Sequence, residues 1–74
     1  MVNDRQIKAA RSLLDWSQQE LADRAGIARF TLIKIETGES RVQDVTIAKI
    51  VAAFEKEGIM FFENEGRYGV SSKR

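Results

Sequence analysis

The sequence predicts an all-α fold, a compact four-helix arrangement followed by a short C-terminal β-hairpin or extended β segment, and three observations carry that prediction. Apolar residues recur at helical spacing through four stretches between residues 4 and 54. Capping residues and glycines punctuate those stretches, in a chain with five glycines and no proline. After Gly58 the period changes, and short apolar runs of β type flank a turn-rich centre. At 74 residues the chain is expected to be one domain, 1–74, with a helical core over 3–57 and a β segment over 59–71.

The first helix is expected over 4–14, where Ile7, Ala10, Leu13 and Leu14 share a stripe and Asn3 or Asp4 provides a cap. Arg5, Lys8 and Arg11 fall elsewhere on its surface. Ser17-Gln18-Gln19-Glu20 reads as a capping box, with the Ser17 hydroxyl accepting from the amide of residue 20 and the Glu20 carboxylate accepting from the amide of Ser17. Trp16 and Leu21 stand at the apolar staple positions on either side. The second helix therefore covers 18–24 and stops at Ala25-Gly26, where glycine tolerates a positive φ. Residues 28–37 form the third, with Leu32 and Ile35 inward, Phe30 and Ile33 off the buried stripe, and Gly38 closing it. Its opening residue, Ala28, has no oxygen to cap with, which forgoes about 0.5–2 kcal/mol.

A polar connector, 39–43, leads to Asp44, expected to cap a fourth helix whose stripe is Ile47, Ile50, Val51 and Phe54. Ile59-Met60-Phe61-Phe62 and Tyr68-Gly69-Val70-Ser71 then flank a hinge over 63–67. A two-stranded ribbon alone is marginal in water, so these strands must pack on the helices or pair with another chain.

Composition excludes several chemistries. Without cysteine or histidine there are no disulfides, thiol nucleophiles, imidazole bases or soft-metal ligands. The carboxylates and serines fall at caps and solvated faces, and no glycine-rich phosphate loop is present, so no enzyme activity, metal, cofactor or small-molecule ligand is expected. Twelve Lys/Arg against eleven Asp/Glu are interspersed, so bulk charge selects no partner. No apolar stretch nears the ~20 residues of a membrane span, and residues 1–4 have no signal-like apolar run, which predicts a cytoplasmic protein without membrane contact. A core this small is worth about 3–5 kcal/mol net, and oligomerisation is the staple left to it.

Two short helices joined at Ala25-Gly26-Ile27 match the helix-turn-helix description, with the motif at 18–37. A steep helix crossing needs a small residue at 22, a permissive one at 26 and apolar filling at 27, 32 and 35; Ala22, Gly26, Ile27, Leu32 and Ile35 meet those needs. Through Arg11, Ser17-Gln18-x-x-Leu21-Ala22-x-x-Ala25-Gly26-Ile27 and Ile35-Glu36-x-Gly38, the chain resembles the phage-repressor (Cro/repressor, XRE-like) helix-turn-helix family of small bacterial transcriptional regulators. The resemblance covers about residues 5–54. It implies a sequence-specific regulator of double-stranded DNA, a repressor, that binds a palindromic operator as a homodimer with the third helix in the major groove.

Carried over position by position, the resemblance places base contacts at Ala28, Arg29, Phe30 and Lys34. Arg29 is the strongest of these, because a guanidinium bonds guanine O6 and N7 together, and Phe30 suits a thymine methyl. Phosphate contacts are implied at Gln18, Thr31, Thr37 and Arg41, with Lys8 nearby and free amides at the helix start at residue 18. Arg11 and Glu36 are implied to be a structural ion pair. Between 24 and 41, the cations Arg24, Arg29, Lys34 and Arg41 outnumber Glu36 and Glu39 by two. The Gly58-Ile59-x-Phe61 and Gly69-Val70 pattern resembles the tail of an XRE-like subgroup. Ile59, Phe61, Tyr68 and Val70 there are expected either to cover the open end of the core or to form a dimer contact, and the two are compatible. The alternative function is an antitoxin-type protein that binds a toxin partner and autoregulates its operon.

Overall fold

A computed structural model of the chain describes residues 2–39 and 43–73. Helix α1, Asp4–Leu14, starts at a reciprocal capping box. The Gln6 amide donates to Asn3 Oδ1 at 2.9 Å and the Asn3 amide to Gln6 Oε1 at 3.0 Å. Ile7 and Ala10 of its stripe are fully buried, whereas Leu13, expected beside them, is 48% exposed. The stripe turns through Leu14 instead, which packs against the core.

Helix α2, Gln18–Ala25, is capped by Ser17, whose Oγ accepts from the Glu20 amide at 3.0 Å. The expected return half of this box is absent: the Glu20 carboxylate lies 2.8 Å from Arg24 Nε. A guanidinium one turn along the helix offers the carboxylate an opposite charge, where the Ser17 amide is an uncharged donor. Trp16, expected to staple onto Leu21, stacks on Phe54 with ring centroids 5.5 Å apart. Gly26 ends α2 at φ +71°, a conformation costly for a side chain bearing Cβ, and swings the chain into α3, Arg29–Thr37.

Helix α4, Asp44–Glu55, has Gln43 at its cap position and no side-chain cap bond. Asp44, expected as the cap, is therefore the first helical residue, where its carboxylate still complements the helix dipole. Strands β1, Ile59–Asn64, and β2, Arg67–Ser72, pair antiparallel with Phe61 opposite Val70 and Phe62 opposite Gly69. The expected five-residue hinge contracts to Glu65-Gly66, because pairing runs out to Asn64 and Arg67. Both turn residues have positive φ, +52° and +76°, the geometry that matches the twist of two antiparallel strands.

The ribbon packs on the helices. Ile59 is buried, Phe61 meets Phe54 edge to face at 5.7 Å, and Val70 lies against the same core. Met60 and Phe62, of opposite parity, face outward. Buried Gln6 locks the arrangement, its Nε2 donating to the carbonyls of Phe62 at 3.2 Å and Gly69 at 2.8 Å. No helix among the described residues is long and apolar enough to cross a membrane.

Candidate nucleic-acid interface

The position of α3 depends on one buried carboxylate. Leu32 and Ile35 bury its inner face, and Glu36 joins them with a side chain only 3% exposed. Such burial requires hydrogen bonds to the charge, and Glu36 accepts three, from two residues. Arg11 Nε donates to Oε2 at 2.8 Å and Arg11 Nη2 to Oε1 at 3.0 Å, a bidentate pair between α1 and α3. Gln18 Nε2 adds a third bond to Oε1 at 3.1 Å. Arg11 Nη1 donates in turn to the Trp16 carbonyl at 3.0 Å, so α1, the linker before α2, α2 and α3 meet at one hydrogen-bonded node.

The outer face of α3 gathers the side chains expected to contact bases. Ala28 occupies the cap position at φ −70° and ψ 141°, exposed and without a side-chain cap bond. Its backbone is close to that of Ser17 at the start of α2, φ −74° and ψ 167°. A hydroxyl at residue 28 therefore reaches the α3 amides without strain, and Ala28→Ser is expected to raise stability by about 0.5–1 kcal/mol in urea denaturation. Arg29 and Thr31 are exposed, and no side chain pairs with Arg29 among the described residues. Phe30 is 66% exposed, with Lys34 Nζ 4.6 Å from its ring centroid. Ile33, expected on the outer surface, is half-buried.

The residues expected to contact phosphate are more divided. The Gln18 side chain points to Glu36, so it is engaged within the protein. The Thr37 hydroxyl donates to its own helix, at 3.0 Å to the Ile33 carbonyl and 3.1 Å to the Lys34 carbonyl, so it has only acceptor capacity left. Arg41 lies outside the described residues. Arg24, counted from sequence among the cations of this stretch, is paired with Glu20, sits 4.5 Å over the Trp16 ring and reaches Glu57 at 3.6 Å. With Arg24 and Glu36 both neutralised by partners, Arg29 and Lys34 are the cations this face presents among the described residues.

In the tail Ile59 is 3% exposed, and Phe61 and Val70 are half-buried against the core. Tyr68 is exposed near the hairpin turn, and the outward apolar residues are Met60 and Phe62. Sequence reasoning did not single out Gln6 or the second role of Gln18. For Gln6 the only local signal is the Asn3-x-x-Gln6 box, since its carbonyl partners lie 56 and 63 residues away.

Residues 7–58 match the model of a helix-turn-helix family of the Cro/repressor, XRE-like type. The match takes in most of α1 and all of α2, α3 and α4, and stops at the start of the hairpin. No curated protein matches the chain.

Proposed function

The chain belongs to the Cro/repressor, XRE-like helix-turn-helix family of DNA-binding transcriptional regulators, and we propose that it is a repressor that occupies a palindromic operator as a homodimer, α3 lying in the major groove. The supporting observation is the two-sidedness of α3. Leu32, Ile35 and Glu36 are buried on one side, while Arg29, Phe30 and Thr31 stand exposed on the other with Lys34 beside them. A helix so anchored presents side chains to base edges at fixed positions, which direct readout requires. In this reading Ala28, Arg29, Phe30 and Lys34 contact bases, and Thr31, Thr37, Arg41 and the amides at Gln18 contact phosphates.

Arg29→Ala is expected to weaken binding to the operator by about 1–3 kcal/mol, relax preference at one base pair per half-site, and leave non-specific duplex nearly unaffected. Anisotropy titrations of operator and scrambled duplexes check this, and an equal loss on both would remove Arg29 from base readout.

A two-fold dimer sets two copies of α3 about 34 Å apart, one turn of the duplex. The outward hairpin residues Met60 and Phe62 are the apolar surface we assign to that contact, in place of Ile59. Replacing both by glutamate is expected to convert dimer to monomer in sedimentation, with helical content unchanged. A dimer that survives puts the contact elsewhere. The same exposed pair would equally suit a toxin surface in the alternative, antitoxin reading, and a stable complex with a different chain on purification from the source cell would select that reading.

A further inference from the structure

We infer that Phe30 and Lys34 act as one composite reader of two neighbouring base pairs, the Phe30 ring meeting a thymine methyl and the Lys34 ammonium, seated on that ring, meeting the adjacent guanine. The inference rests on the major-groove placement of α3 proposed above. A phenyl ring 66% exposed in the first turn of a helix covers no core, and neither aromatic pair found among the described residues includes it. The ammonium of Lys34, one turn further on and on the same face, lies 4.6 Å from its ring centroid. No carboxylate pairs with Lys34 among the described residues.

Two consequences follow for what each group can touch. The lysine stem is half-buried and folded back over Phe30, so its charge sits at the first turn, the end of a recognition helix that faces base edges, rather than extended towards a phosphate. With one ring face taken by the ammonium, the rim and opposite face remain for an apolar group, and the C5-methyl of thymine is the apolar group on the major-groove floor. The ammonium keeps donors for guanine O6 and N7. Its 4.6 Å offset from the ring is little more than the ~3.4 Å rise between base pairs, so the two groups reach adjacent pairs. Excluding water on docking strengthens the cation–ring contact, which couples the two readings.

The test uses the duplex that the wild-type protein enriches from a random library. Each thymine is replaced in turn by deoxyuridine, which lacks only the methyl, and each guanine by 7-deazaguanine, which lacks the N7 acceptor. One thymine per half-site is expected to lose about fourfold in affinity as uracil, the worth of one buried methyl, next to a guanine sensitive to N7 removal. Phe30→Ala should abolish the uracil penalty. Phe30→Leu should retain it but shrink the 7-deazaguanine penalty, because leucine keeps an apolar contact and gives the ammonium no ring. Both variants alter an exposed side chain, and circular dichroism confirms their fold. Indifference to methyl removal, a uracil penalty that persists in Phe30→Ala, or methyl and N7 effects at non-adjacent pairs would each overturn the composite reader while leaving base readout by α3 intact. Failure to enrich any duplex would overturn both.

Discussion

Phe54→Ala is expected to cost about 3–5 kcal/mol and leave the protein largely unfolded near 37 °C. The residue is fully buried and joins three parts of the chain. It projects from α4, stacks on Trp16 in the linker before α2, and meets Phe61 of β1 edge to face. Each aromatic contact adds about 0.5–1.5 kcal/mol beyond the area it buries. Truncation empties the space beneath elements that the rest of the fold already holds apart, so collapse recovers little. A core of this size is worth only about 3–5 kcal/mol net, so the loss approaches the whole. Urea denaturation followed through Trp16, the single tryptophan, reads it directly. Phe54→Leu should fall well short of that loss, and a cost below about 1.5 kcal/mol for alanine would contradict the role given to the ring.

Glu36→Ala is expected to cost about 3 kcal/mol, the low end for breaking a buried ion pair. The Arg11 side chain is 21% exposed, so water reaches part of the guanidinium and softens the penalty. What remains is a cation and the Gln18 amide, both facing a site with no acceptor. The electrostatic pair itself contributes less than its breakage costs, because burying both charges offsets their attraction. Arg11→Met combined with Glu36→Leu is therefore expected to recover most of the loss. Thermal melts of the single and double variants test the pair, and a double variant no more stable than Glu36→Ala would show that the node stabilises through something other than satisfied charge.

Several elements were legible in the sequence because their causes are local. The starts of α1 and α2 follow from Asn3 and Ser17, the end of α2 from Gly26, and the uncapped start of α3 from Ala28. These features depend on residues within one turn of each other. The hairpin was legible as strands but not as a packed face. Ile59-Met60-Phe61-Phe62 is apolar at both parities, so alternation alone does not choose which pair faces the core. Contact with Phe54 makes that choice. The exposed face of α3 was readable from Leu32 and Ile35 marking the opposite side, whereas the turn of Gln18 away from solvent was not, since a half-buried amide bonded to Glu36 depends on how α2 and α3 cross. Arg24 differed for a similar reason: its partners Trp16 and Glu57 come from other parts of the chain.

In the proposed function the outer face of α3 reads base sequence in duplex DNA. Selection of random duplexes by the purified protein at physiological salt, read out by sequencing, tests it most directly. The expected result is an enriched inverted repeat with half-site centres about 10 base pairs, or a multiple of one turn, apart, and a guanine in each half-site whose selection disappears in Arg29→Ala. Binding that is weak, falls steeply with salt and enriches no sequence would contradict it, since phosphate attraction alone would then account for all contact with DNA.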